Sequence, residues 1–253
     1  MIVAIIQART GSTRLPKKVL KKVCGKSLLE HLIERVKRVK HLDKIVVATT
    51  TKKEDEAIVK IAQKTKVEYF QGSNEDVLDR YYQAAKKFKA DIVVRITGDC
   101  PLLDPEIVDT TINLFLKTKC DYVSNTHPPT FPDGMDVEVF SFRALERSWL
   151  EAKLISEREH VTLYVRNHPE IFRCGNVLHT KDISSLRLTV DEPSDFKLIK
   201  KIFQHLYPRK HFFGFKDILK YLESFPRLLL VNKTISRNEG LVKSLRAESL
   251  KKY

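Results

Sequence analysis

The chain has 253 residues, 46 lysines and arginines against 32 acids (formal charge +14), and is 42% hydrophobic and 31% charged. That length carries one large α/β domain or two small ones, and the composition excludes a disordered or low-complexity chain. No apolar run approaches membrane-spanning length, and Arg9 interrupts the first one before any cleavage site, so the expectation is a cytoplasmic protein without membrane association.

The four cysteines (24, 100, 120 and 174) form no C-x-x-C, which argues for reduced thiols rather than zinc or dithiol chemistry. Lysines are spread through 37–44, 52–66, 86–89, 197–201 and 243–252, without an aromatic-interleaved basic patch. A solvated Lys/Glu surface explains that spread as well as nucleic-acid binding does, and a small polyanionic substrate also profits from positive charge.

Residues 2–6 (IVAII) suit a strand buried on both faces of a parallel sheet. The polarity then reverses, with Arg9, Gly11, Ser12, Thr13, Arg14, Pro16, Lys17 and Lys18 within a few positions. Glycine admits main-chain N–H groups to an anion, and arginines fork onto phosphate oxygens. Spacing alone leaves a phosphate cradle and a solvated basic loop equally open. G-x-G-x-x-G is absent, and Gly25-Lys26-Ser27 has Leu20 where a P-loop needs glycine.

Ser27-Leu28-Leu29-Glu30 is a capping box that opens a helix with Leu28, Leu29, Leu32, Ile33 and Val36 on one face. The pattern then predicts a strand at 44–50, a helix over about 53–64, a short strand at 67–70 and a helix opening at 73–76. A strand at 91–96 ends in Thr97-Gly98-Asp99-Cys100-Pro101, and Asp104 caps a helix starting at Pro105. This alternation predicts an α/β fold with a doubly wound, mostly parallel sheet. Taken alone, Asp99 reads as a turn residue, although it falls where open α/β sheets bind ligands.

Residues 121–141 are rich in proline and turn residues. Residues 156–159 (SERE) read as a second capping box. Residues 172–178 predict a strand in a peripheral or dimer-forming layer. Residues 186–190 (LRLTV) predict a further strand, followed by Asp191-Glu192-Pro193-Ser194-Asp195 and a helix over about 194–206. The expected division is a domain at 1–206, with 125–180 as flap and dimer layer, and a helical, lysine-rich extension at 207–253.

IIQARTGSTRLPKKVL resembles the N-terminal signature of the sugar cytidylyltransferases, I-[IP]-A-R-x-x-S-x-R-L-P-x-K, a superfamily that includes the CMP-KDO synthetases and acylneuraminate cytidylyltransferases. GDCPLLD is similar to the family's G-D-x-P element and DEPSD to its D-x-P-x-D element, while GSNEDVLDRYYQAA resembles the branch of spore-coat polysaccharide biosynthesis proteins. Gln7 departs from the signature, and Thr97 stands where CMP-KDO synthetases carry glutamine.

The resemblance implies a nucleotide-diphospho-sugar transferase-like, Rossmann-like fold with a small peripheral β layer and C-terminal helices. It implies a catalytic set of Arg9, Arg14, Lys18 and Asp99, nucleotide contacts from Ala8, Arg9, Gly11, Ser12, Arg14, Lys18, Thr97 and Gly98, and Asp99 with Asp191 as Mg²⁺ ligands. The turn-rich segment 121–141 itself reads as an active-site flap, with Asn125, Asp133, Asp136 and Glu138, and beyond them Arg158 and His160, as candidate acceptor contacts, each also readable as a loop or structural residue. The implied reaction joins CTP to a sugar acceptor, giving a CMP-sugar for surface polysaccharide or glycoconjugate synthesis and releasing pyrophosphate, in a homodimer. Two other readings stay open. One is a metal-dependent glycosyltransferase, although those usually carry D-x-D where this chain has Asp99-Cys100-Pro101. The other is a non-enzymatic basic nucleic-acid-binding protein, suggested by charge alone.

Overall fold

The computed structural model describes residues 1–250. The chain opens with β1 (Ile2–Gln7), followed by a hairpin of β2 (Lys22–Val23) and β3 (Lys26–Ser27) that forms a separate two-stranded sheet. Then come α1 (Leu28–Val36), β4 (Lys44–Thr50), α2 (Glu56–Lys64), β5 (Glu68–Gly72), α3 (Val77–Lys87), β6 (Ile92–Thr97) and α4 (Pro105–Lys117). Beyond these lie β7 (Tyr122–Ser124), β8 (Glu138–Ser141), α5 (Phe142–Glu151), α6 (Ile155–Glu159), α7 (Leu163–Asn167), β9 (Cys174–Asn176), α8 (Pro193–Leu206), α9 (Phe215–Ser224) and α10 (Glu239–Leu250).

The main sheet has the order β5-β4-β1-β6-β8-β7-β9. β1 is parallel to both β4 and β6, and β8 alone runs against its neighbours. β1 carries an unbroken apolar run because both of its faces are covered. Ala4 and Ile6 join one core with residues of α1, α2, α4, α8 and α9, while Val3 and Ile5 join the other with residues of α3, α5 and α7. Each aliphatic side chain buried in this way contributes on the order of 2 kcal/mol.

The helix starts follow the expected chemistry. Ser27 Oγ accepts from Glu30 N while Glu30 Oε2 accepts from Ser27 N. Asp104 Oδ1 accepts from Glu106 N at 2.8 Å, and its other oxygen accepts from Phe215 N, tying α4 to α9.

Three expected elements differ. Residues 186–190 join no sheet strand. Their donors go to loops instead: Leu188 N to Asp133 O at 2.6 Å and Val190 N to Asp99 O at 2.9 Å. β9 extends the main sheet as its edge, beside β7, rather than forming a separate layer. At 156–159 the cap shifts by two residues. Glu157 accepts from Leu154 N, while the Ser156 hydroxyl turns to Glu248. Past residue 207, Phe213, Phe215, Ile218 and Leu222 belong to the same core as β1.

Candidate active site

β1 and β6 are neighbours, yet the chain leaves β1 toward β4 on the opposite side. A reversal of strand order opens a crevice beyond the carboxyl ends of the strands. The loop after β1 and the turn after β6 meet there, lining a cavity of about 400 Å³ with Ala8, Arg9, Gly11, Ser12, Arg14, Lys18, Thr97, Gly98 and Asp99. All eight residues expected to touch the nucleotide are thus brought together.

The loop is held at both ends. Thr10 donates from its main-chain N and its Oγ1 to Asp55 Oδ1, 2.7 Å each, and Lys17 N donates to Thr10 O at 3.0 Å. Opposite, a Cβ on Gly98 would lie 2.8 Å from Gln7 O and 3.1 Å from Ala8 Cβ, so only glycine lets the β6 turn press against the end of β1.

Lys18 Nζ donates to Asp99 Oδ2 and to Asp191 Oδ1 at 2.7 Å each. Burial works against the ammonium, but the two carboxylates outweigh it and raise its pKa. Burial also works against the Asp99 carboxylate, and Lys18 reverses that effect, holding Asp99 at about 2. The arrangement is one ammonium between two carboxyl groups. Two hard oxygens that converge on one cationic point suit a small divalent ion. No cluster of three or more His, Cys, Asp or Glu side chains fit to hold a metal occurs among the described residues, and Asp99 and Asp191 are the two carboxylates that meet at this point.

Asp191 is fixed by Arg187, a residue the sequence reading passed over. Its guanidinium donates to Asp133 Oδ2 at 2.5 Å, Asp191 Oδ2 at 2.9 Å and Asp195 Oδ1 at 3.0 Å. Asp195 Oδ2 also accepts from the N–H groups of Asp191 and Glu192. The available signal was a lone arginine inside the apolar run LRLTV, one helical turn's worth of residues before Asp191.

Arg80 is a second omission. It is 2% exposed, lines the same cavity and donates to Ser73 O, while its Nε has no partner among the described residues. An arginine on the inner face of VLDRYY was its only trace. Burial pushes the Cys100 thiol well above the ordinary range, which disfavours the thiolate.

A smaller cavity of about 260 Å³ adjoins the first and shares Arg14, Thr97, Asp99, His160 and Asp191 with it. Four of the six candidate acceptor residues, Asp133, Asp136, Glu138 and His160, line it together with His127, Arg166 and Arg237. Glu138 accepts from Arg95, from Tyr122 OH at 2.6 Å and from Thr162 Oγ1 at 2.5 Å. Burial would raise its pKa, but Arg95 outweighs that and holds it at about 2. Asp136 is pushed up to about 7 by burial and by the nearby Asp133 and Glu138 carboxylates, against the pull of Arg237. Its side chain is 29% exposed, so solvent tempers that push. His127 falls to about 4 through burial and the adjacent Arg166.

Asn125 and Arg158 lie elsewhere. Asn125 is fully buried and clasps the flap, donating to Met135 O and accepting from Val137 N. Arg158 binds Asp76 and Trp149 O, tying α6 to the N-cap of α3 and to α5.

The sequence model of the family described as Cytidylyltransferase matches residues 3–234. The chain is 36% identical over 210 residues to the spore coat polysaccharide biosynthesis protein SpsF of Bacillus subtilis, covering 80% of this chain and 86% of that one. The solved cytidylyltransferase from Leptospira borgpetersenii superposes with a TM-score of 0.86 at 35% identity, over 93% of this chain and 99% of that one. A CMP-KDO synthetase solved with CTP shares the fold at a TM-score of 0.62 and 18% identity, over 81% of this chain and 99% of that one. The motifs that meet at the sheet edge therefore sit in a shared sequence as well as a shared fold, and the chain belongs to the cytidylyltransferase family.

Proposed function

We propose that this cytidylyltransferase transfers CMP from CTP to a sugar hydroxyl, releasing pyrophosphate, and that the activated sugar feeds surface polysaccharide synthesis. The observation that carries the reading is the meeting of Asp99 and Asp191 on one cationic point, between the signature loop and a second, polar cavity. The larger cavity takes CTP, with Arg9, Arg14 and Lys18 forking onto phosphate oxygens and stabilising pyrophosphate as it leaves. The smaller cavity holds the acceptor. Asp133, Asp136 and Glu138 accept hydrogen bonds from hydroxyls and orient one of them in line with the α-phosphorus.

Mg²⁺ at Asp99 and Asp191 would offset charge on the phosphate oxygens during attack. Lys18 occupies the point between these carboxylates, so Asp99 and Asp191 would hold the ion in exchange for their bonds to its ammonium, which would then be free to bind phosphate oxygens. No general base is assigned. A homodimer is part of this proposal, supported by the resemblance and by β9 standing at the edge of the sheet; a monomer by light scattering at high micromolar concentration would remove it.

The test is a pyrophosphate-release screen of four nucleoside triphosphates against acidic and neutral sugars. Mg²⁺-dependent release with CTP and one sugar class is the expected result. Transfer from a preformed nucleotide sugar, with no release from any triphosphate, would point instead to a glycosyltransferase.

A further inference from the structure

Residues 235–250 lie past the segment that the family's sequence model matches. They run back across the site: Arg237 lines the smaller cavity, Lys243 and Ser244 line the larger, and Gly240 lines both. None of the described residues of α10 is buried, and Val242, Leu245 and Leu250 stand 42%, 45% and 79% exposed. An element with so little apolar anchorage is held by its polar contacts.

Those contacts fall on the site and its rim. Glu239 Oε2 accepts from Arg14 Nη1 at 2.9 Å. Ser244 Oγ lies 3.1 Å from His160 Nε2 and donates to Glu159 at 2.7 Å. Glu248 accepts from Ser156 N and Oγ at 2.6 and 2.7 Å. Arg237 pairs with Asp136.

We propose that residues 235–250 form an autoinhibitory strap, in which Glu239 holds Arg14 where a nucleotide phosphate would, so that a polyanion entering the signature loop displaces the strap. The proposal rests on the reading that this loop binds a triphosphate. The physical case is competition for one guanidinium. Arg14 already meets Asp191 at 3.3 Å, Glu192 at 3.2 Å and Glu239 at 2.9 Å. A triphosphate added to that rim faces several carboxylates, and one of them must leave. Asp191 is locked by Arg187, and Glu192 lies at the packed start of α8. Glu239 sits on the segment with the least burial, so it is the carboxylate that yields. Its departure also carries Arg237 away from Asp136, so nucleotide entry opens the acceptor cavity as well.

The test uses the full-length protein and three measurements: hydrogen exchange of 235–250, and affinities for tripolyphosphate and for CTP with Mg²⁺. In wild type, either ligand should speed exchange across the strap. Glu239→Gln should speed it without ligand and tighten tripolyphosphate about two- to fivefold, the range of a partly exposed ion pair. Glu248→Ala, which loosens the far end without touching Arg14, should act in the same direction. Unchanged affinity in Glu239→Gln, or a strap that becomes more protected with ligand, would overturn the proposal. If tripolyphosphate releases the strap and CTP binds no better, the strap stands and the nucleotide reading fails. If CTP binds far more tightly and strap exchange never changes, the reverse holds. Absence of binding by both anions would remove both.

Discussion

The two cavities share Asp99 and Asp191 but are built in opposite ways. The larger cavity is lined chiefly by two short stretches, 8–18 and 97–99, that follow adjacent parallel strands, with Arg80, His160 and Asp191 added from remote segments. Its shape rests on main-chain geometry: the Thr10–Asp55 clasp and the close approach of Gly98 to Gln7. The smaller cavity is a web of charge pairs between remote segments. Arg187 reaches Asp133 across 54 positions and Arg237 reaches Asp136 across 101. A local scaffold tolerates little change in its few residues, whereas a charge web can be rewired pair by pair.

The largest effect should come from the shared carboxylates. If both serve one ion as proposed, Asp99→Asn and Asp191→Asn should each lower turnover at least about 100-fold, and the double variant should be little worse. Neither should raise the stability of the free protein, since Lys18 already neutralises the pair and would lose one of its two charged partners. The measurement is Mg²⁺-dependent pyrophosphate release alongside thermal melting. Near-normal turnover in either variant would break the link between the halves, and additive losses would assign the residues to separate steps.

The same contrast explains what could be read from the sequence. The signature loop, the GDCP turn and the strand-helix alternation are contiguous, so their spacing survives in one dimension. The route of Asp191 does not. LRLTV has the composition of a sheet strand, but its hydrogen bonds go to the carbonyls of Asp133 and Asp99. Periodicity records which side chains are buried, not which partner takes the main chain. Arg187 was hidden for the same reason, its three carboxylate partners lying at 133, 191 and 195. Arg237 and Glu239 carried no signal at all, because a lysine-rich tail looks alike whether it is solvated or folded over a site.

An intermediate effect is expected at the junction. Gly134 has φ +102°, and a Cβ there would meet Leu188 C and Thr189 N at 2.5 Å. No side-chain rearrangement relieves a clash with main chain. Gly134→Ala should therefore cost about 1–3 kcal/mol, or several degrees of Tm. It should also push 188–191 away from Asp99, lowering kcat with acceptor while leaving metal-free triphosphate affinity close to wild type. An equal loss on both sides would mean that the two cavities form one rigid unit.

The smallest effect is a difference in the direction of the pH response. Asp99 is held at about 2, below its ordinary 3.8, so its ionised form favours the fold. That contribution is complete above about pH 4 and is lost as pH falls through 2. Asp136 is pushed up to about 7, so its protonated form favours the fold; that contribution is complete below about pH 3.8 and is lost as pH rises through 7. Asparagine at 136 keeps an acceptor for Arg237 and removes the titration. Wild type and Asp136→Asn should melt together near pH 4, and the variant should gain on wild type by about 2–4 °C toward pH 8, about 1 kcal/mol after screening of the 29% exposed side chain. Differential melting across pH 4–8 at constant ionic strength reads this directly. A constant difference at every pH would show that Arg237 already compensates Asp133 and Glu138. The acceptor side would then be as firmly ionised as the nucleotide side.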